Sequence, residues 1–269
     1  MQALIITSHP GPSLAITALT TLLAAQAAPH GLGSALTAPA LLAGQLSIGW
    51  SNDACDAARD AAAGRTDKPL ARGDIGAAAV WTAAVAAAAA GLALALVIGP
   101  VTGALYTLLV VSGWAYNLGL KSSLASGVMY LLGFGLLPTY AASTLPGHPA
   151  ARWPVTVAAG LLGLGAHFAN VLPDLAADAA TGVRGLPQRA AARWGRGAVR
   201  ATALAVLLTA SVLLLLGATR RWIAIPGLVA ALLLAVAAAR GTGRTPFLAA
   251  IGIAAVDILL FTAGGEALS

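Results

Sequence analysis

Asn52-Asp53-Ala54-Cys55-Asp56-Ala57-Ala58-Arg59-Asp60 and Asn170-Val171-Leu172-Pro173-Asp174-Leu175-Ala176-Ala177-Asp178 are two copies of one pattern, N-x-x-x-D-x-x-x-D, offset by 118 residues at all three positions. The chain has only nine acidic residues, and seven belong to these neighbourhoods: Asp53, Asp56, Asp60, Asp67 and Asp74 around the first copy, Asp174 and Asp178 in the second. Asp257 and Glu266 lie far off. At i, i+4 and i+8 side chains share one face of an α-helix, so each copy predicts a stripe of one amide oxygen and two carboxylates. Repetition at identical spacing is not what ordinary helix-end polarity produces.

The surroundings say which solvent these helices meet. Of 269 residues 59% are hydrophobic and 9% charged, and the mean hydropathy is +0.86, which describes an all-α integral membrane protein. At roughly 20 apolar residues per span the length accommodates about nine crossings and no separate soluble domain. A single domain over residues 1–269 is therefore expected, a nine-helix transmembrane bundle. Hydropathy places the helices at 13–28, 35–60, 74–96, 98–117, 123–143, 154–178, 198–217, 221–239 and 246–263. Gly and Pro punctuate the joints, as at Gly99-Pro100 and Pro146-Gly147, and the Ala- and Gly-rich spans favour close helix packing. The Asp-rich motifs then end helices 2 and 6. The first twelve residues carry no basic n-region, so no cleaved leader is expected. Cys55, the only cysteine, has no partner for a disulfide or a zinc site.

The net charge of +6 is spread over short connections rather than one patch, which argues for membrane orientation and against a nucleic-acid partner. Twelve of the fifteen Lys and Arg residues fall in the connections 2/3, 4/5, 6/7 and 8/9, leaving Arg152, Arg220 and Arg221 opposite. By the positive-inside rule the N-terminus and the motif-bearing face are cytoplasmic and the C-terminus is on the other side of the cell membrane.

Carboxylates near a bilayer are costly unless they meet water, a cation or the bundle interior. Two stripes facing each other would make an oxygen-rich cleft, and Asn52, Asp56, Asp60, Asn170, Asp174 and Asp178 suit Mg²⁺ completed by water and phosphate oxygens. Asp53 points about 100° from Asn52, off the stripe, where capping or hydration is its expected role. Beyond the first motif, Arg65, Lys68 and Arg72 lie in a Gly- and Pro-bounded loop, and Lys121 follows helix 4. With Arg184 after the second motif they are candidate diphosphate ligands.

These residues resemble the UbiA-type intramembrane prenyltransferases. The first motif matches N-D-x-x-D-x-x-x-D without a gap, Lys68-Pro69-Leu70 looks like the family's basic segment, and Asp174-Leu175-Ala176-Ala177-Asp178 is similar to its second motif, with Gly182, Leu186 and Pro187 following. Tyr116 and Lys121 resemble the Tyr and Lys after helix 4, although here they stand five apart. The resemblance implies nine helices, two Mg²⁺ between helices 2 and 6, and transfer of an isoprenoid from a prenyl diphosphate to a hydrophobic acceptor within membrane lipid. Lys68, Lys121 and His9 are then the candidate catalytic residues. Hydroxybenzoate-type members often begin with an Arg-Pro pair. Here Ser8-His9-Pro10 stands instead, which points away from an aromatic carboxylate acceptor.

A terpene cyclase of the same superfamily would use the same ionisation site, and no single residue separates the two. A Mg²⁺ or phosphate transporter is disfavoured because transport sites normally lie near the bilayer midplane on discontinuous helices. His9 is a candidate acceptor contact or base, His167 reads as a packed or hydrogen-bonded histidine, and His30 and His148 as surface residues. Trp50 and Trp114 are the tryptophans near enough to the motifs to face a carbocation. Pro173, inside the predicted helix 6, predicts a kink that aims Asn170 and Asp174.

Overall fold

The computed structural model describes residues 2–27, 31–217, 221–263 and 268. His30, Arg220 and Glu266 lie outside the described residues. Every regular element among the described residues is helical, and the chain divides into two compact units, Met1–Gly119 with Ser143–Pro149, and Leu120–Ala142 with Ala150–Ser269.

The first unit holds α1 (Gln2–Thr7), α2 (Pro10–Ala27), α3 (Leu32–Ala62), the single turn α4 (Pro69–Arg72), α5 (Ala77–Ile98) and α6 (Pro100–Leu118). Gly99 ends α5 and Pro100 opens α6, where its missing N–H costs nothing and its fixed φ suits a first turn. Small residues allow α3, α5 and α6 to meet. A Cβ on Gly91 would stand 2.1 Å from the Tyr106 hydroxyl and 2.8 Å from the Ala40 carbonyl. Tyr106 is buried there and donates to the Ala88 carbonyl at 3.2 Å. With lipid outside, such fit supplies the association that water-driven burial would supply elsewhere.

The second unit holds a 3-10 turn (Leu120–Ser122), α7 (Ser126–Ser143, whose last residue belongs to the first unit), α8 (Trp153–Asn170), α9 (Leu175–Ala180), α10 (Leu186–Gly217), α11 (Arg221–Arg240) and α12 (Thr245–Ala263). Its core runs from Ala158, Leu162 and Phe168 on α8 through Val199 and Leu207 on α10 to Ile253 on α12. Gly160, Gly163 and Gly165 give α8 its close approaches, to Leu131, Phe134 and Leu207.

Three helices among the described residues are long and apolar enough to cross a membrane, Leu32–Ala62, Ala77–Ile98 and Leu186–Leu216, with shorter apolar helices at Pro10–Ala25, Ile225–Arg240 and Thr245–Phe261. Two expectations are corrected. The helix predicted over 154–178 stops at Asn170, turns through 171–174 and resumes as α9. Proline at 173 has no N–H to donate, and the Asp174 N–H closes a turn onto Val171 at 3.1 Å instead. The basic stretch read as connection 6/7 is helical from Leu186, with a break at Gly195, whose φ of 81° and ψ of 168° lie outside helical space.

Candidate functional site

The first motif is carried by the last three turns of α3, so Asn52, Asp56 and Asp60 do share one helical face. Asp56 and Asp60 are each 8% exposed, and Asp56 is paired with Arg59 at 2.7 Å. The motif thus carries a cation of its own, Arg59, one turn along the same helix. Asn52 donates through Nδ2 to Oδ1 of Asn117 at 3.0 Å, and Asn117 in turn donates to the Ile48 carbonyl at 2.9 Å and the Ser51 hydroxyl at 2.8 Å. With its NH₂ committed to α6, Asn52 keeps its amide oxygen, the atom a hard cation needs, as the end turned from Asn117. Asn117 was missed in the sequence. Its signal was an amide beside Tyr116 at the end of an otherwise apolar helix.

Asp53 is neither capping nor hydrated. It is 3% exposed, and its Oδ1 accepts from Lys68 Nζ at 2.6 Å and from His9 Nε2 at 2.8 Å. Lys68 is held at the entrance to α4, and α4 ends on Gly73 in the left-handed region at φ 79°. The other two cations of this loop pair within it. Arg65 donates twice to Asp67 at 2.8 Å, and Arg72 donates to Asp74 and, at 2.6 Å, to the Thr66 carbonyl. Hydrogen bonds from Arg65 hold the Asp67 carboxyl down at about 2, so that pair is charged throughout the physiological range. Exposed pairs of this kind contribute about 0–1 kcal/mol, little enough for an incoming phosphate to displace. Trp50 and Trp114 both spend their indole N–H, on the Leu4 carbonyl at 2.8 Å and the Ser47 hydroxyl at 3.0 Å, and Trp114 meets Trp81 edge-on at 5.6 Å. Cys55 is half-buried.

In the second unit Asn170 is the last residue of α8, Asp174 precedes α9 and Asp178 lies within it. The second triple is therefore not one continuous helical stripe. Asn170 and Asp174 are exposed. Asp178 Oδ2 accepts from Gln188 Nε2 at 2.8 Å, which ties α9 to the start of α10. Lys121, in the 3-10 turn, comes to the same loop: a Cβ on Gly185 would stand 2.5 Å from the Lys121 carbonyl, and Arg184 is the preceding residue. Ser126 accepts from the Leu186 N–H at 2.8 Å and shares a hydrogen bond with His167 at 3.1 Å. His167 is 1% exposed and stacks on Tyr130 at 4.3 Å, a packed histidine as expected.

Each unit carries one of the two motifs. In the first, His9 and Lys68 meet on Asp53, with Asn52, Asp56 and Asp60 along the same helix; in the second, Asp178 is bonded to Gln188 and the Lys121 carbonyl lies against Gly185, next to Arg184, while Asn170 and Asp174 stay exposed. Among the described residues no three His, Cys, Asp or Glu side chains are grouped as a ready metal cage. The donor set is nevertheless of the right kind for Mg²⁺: carboxylate and amide oxygens, few enough to leave positions for water and phosphate.

The sequence matches the UbiA prenyltransferase family over residues 13–255. No curated protein matches it. The fold is similar to a UbiA homologue from Archaeoglobus fulgidus bound to GPP and Mg²⁺, at 17% identity and TM-score 0.72 with 98% of each chain covered. It is also similar to the apo UbiA homologue from Aeropyrum pernix K1, at 18% identity and TM-score 0.72 with 94% of each chain covered. A structure concerned with digeranylgeranylglyceryl phosphate synthase aligns at 15% identity and TM-score 0.69, covering 98% of this chain and 97% of that one. The chain belongs to the UbiA prenyltransferase family and is a multi-pass membrane protein.

Proposed function

We propose that this protein transfers an isoprenoid group from a prenyl diphosphate to a lipophilic acceptor within the membrane, with residues 1–269 acting as one catalytic domain and Mg²⁺ as cofactor. The observation that carries the reading is in the first unit: the Asn52, Asp56, Asp60 face of α3 ends beside a cation-rich loop whose Lys68 is already bonded to the same helix. An oxygen-lined metal face beside a cationic loop is what a diphosphate leaving group requires. Family membership supports it, as does the Archaeoglobus fulgidus homologue of this fold that holds GPP and Mg²⁺.

In this reading Asn52, Asp56 and Asp60, with Asn170, Asp174 and Asp178 from the second motif, are the Mg²⁺ ligands. The metal, when bound, supplies positive charge to the departing diphosphate. Lys68 and Lys121, with Arg65, Arg72 and Arg184, bind the phosphate oxygens and screen the charge that grows as the C1–O bond breaks. The diphosphate leaves with that bond's electron pair. A nucleophilic oxygen or carbon of the acceptor bonds to C1 and gives up its proton. His9 is the candidate to receive it: with Nε2–H donating to Asp53, a neutral ring offers Nδ1 as acceptor. The motif-bearing face is cytoplasmic in this reading.

The test is incubation of the purified protein in lipid nanodiscs with Mg²⁺, prenyl diphosphates of several chain lengths and a lipid extract. Mg²⁺-dependent diphosphate release with a prenylated product identified by mass is expected. Release with a cyclic hydrocarbon and no acceptor would reassign the protein as a cyclase, and absence of release with every chain length would sink the reading.

A further inference from the structure

The proposed metal face uses Asn52, Asp56 and Asp60 and gives Asp53 no part, yet Asp53 is the most buried carboxylate of the motif, 3% exposed against 8% for Asp56 and Asp60. One of its oxygens, Oδ1, accepts from two separate chain segments, His9 at 2.8 Å and Lys68 at 2.6 Å. Both donors are held from behind. The turn that presents His9 is pressed onto α3, where a Cβ on Gly49 would stand 2.3 Å from the Ser8 carbonyl and Trp50 donates to the Leu4 carbonyl at 2.8 Å, and it is closed from α2 by Ser13, which donates to the Ser8 carbonyl at 3.0 Å. Residues 49, 50 and 53 form one patch of α3. His9 itself has φ 52°, a backbone conformation that a side-chain-bearing residue keeps only where its surroundings over-determine it. Lys68 sits at the start of α4.

We propose that Asp53 is a positioning residue and not a metal ligand: through one oxygen it sets Lys68 for the departing diphosphate and His9 for the acceptor, so a single buried group aligns the two ends of the transfer. The proposal rests on the prenyl-transfer reading. A lysine side chain ordered before substrate arrives has already lost the rotamer freedom that phosphate binding would otherwise remove, which is how a pre-organised site gains rate. Metal binding at Oδ1 would instead have to displace both hydrogen-bonded donors. A His–carboxylate pair also fixes which ring nitrogen is free, and it does so only while the carboxylate is in place.

The experiment compares the full-length protein with Asp53→Asn, Asp53→Glu, His9→Ala, Lys68→Ala and the His9→Ala/Lys68→Ala double variant in nanodiscs. Hydrogen–deuterium exchange of residues 2–9 and 63–73 needs no substrate. Asp53→Asn should speed exchange in both segments at once, whereas His9→Ala and Lys68→Ala should each affect chiefly their own and combine non-additively. Unchanged exchange in either segment of Asp53→Asn, or strict additivity should Asp53→Asn not fold, overturns the proposal. In kinetics Asp53→Asn should lower kcat/KM for the prenyl diphosphate by about 10- to 100-fold, with the midpoint of Mg²⁺ activation unchanged and partial rescue by Asp53→Glu. A Mg²⁺ midpoint displaced by about tenfold or more would tie Asp53 to the metal, as a ligand or as a partner of one, and overturn the assignment. Absence of diphosphate release by the unsubstituted protein would overturn the prenyl-transfer reading itself, and the exchange measurement would then still decide whether Asp53 positions the two segments.

Discussion

At the scale of single residues, the duplicated motif makes the sharpest demand. Asp56→Ala, Asp60→Ala, Asp174→Ala and Asp178→Ala should each abolish Mg²⁺-dependent diphosphate release, because each removes a carboxylate that no neighbour replaces; near-normal turnover in any two would contradict the metal reading. Asn52→Ala should be milder, a neutral oxygen binding a divalent cation less strongly than a carboxylate. Asn117→Ala removes the acceptor that turns the Asn52 amide, and should weaken Mg²⁺ activation by about tenfold, as loss of an outer-shell partner typically does, while leaving the protein folded. The first motif was legible because its period is that of the helix that carries it, whereas the same spacing in the second spans the turn at 171–174. Asn117 was not, since its bond to Asn52 spans 65 residues and exists only once α6 lies on α3. The Arg59–Asp56 pair was missed for a different reason: Arg59 counted as a topology determinant, although i,i+3 places it against Asp56 on the same helix.

Among the elements, the turn at 171–174 and the docked N-terminal segment matter most. Hydropathy runs on through 178 because Val171, Leu172 and Leu175 are as apolar as the helix before them, and a window average does not register one absent N–H. Pro173→Ala restores that donor, and should let α8 extend toward α9 at the expense of the turn that now sets Asp174. The expected outcome is slower hydrogen exchange across 171–174 together with weaker Mg²⁺ activation; activation equal to the unsubstituted protein would show that the break merely relieves packing. On the other unit, Gly49→Ala puts a methyl group where the Ser8 carbonyl lies, 2.3 Å from it. The segment 2–9 should then lift from α3, and limited proteolysis of detergent-solubilised protein should cut it faster. The helix from Leu186 to Gly195 escaped the sequence because its arginines defeat any search for apolar runs, though Pro187 and Ala190 give it a buried side.

For the molecule as a whole, composition alone places it in lipid, and the basic residues carry a prediction about which way it faces. The positive-inside count rests on twelve Lys and Arg against three, and the structure adds where reporter positions are open. Ala63, Ala192 and Ala150 are all exposed, whereas Gly185 is pressed against the Lys121 carbonyl and would not tolerate a cysteine. In a Cys55→Ala background, cysteines at Ala63 and Ala192 should be shielded from an impermeant thiol reagent in intact cells and should label after permeabilisation. A cysteine at Ala150 should label in both. The reverse pattern would invert the orientation, and with it the side from which the diphosphate enters. The same N-terminal turn also bears on the acceptor. Arg holds a carboxylate with a permanent charge and a bidentate fork, whereas a His committed through Nε2 to Asp53 has one nitrogen left to offer. The protein should therefore ionise a prenyl diphosphate yet leave 4-hydroxybenzoate unprenylated, and a less acidic, lipid-like hydroxyl or activated carbon should serve instead. His9→Arg should admit carboxylated aromatics by restoring the fixed charge, and efficient prenylation of 4-hydroxybenzoate by the unsubstituted protein would refute the assignment of acceptor selection to His9.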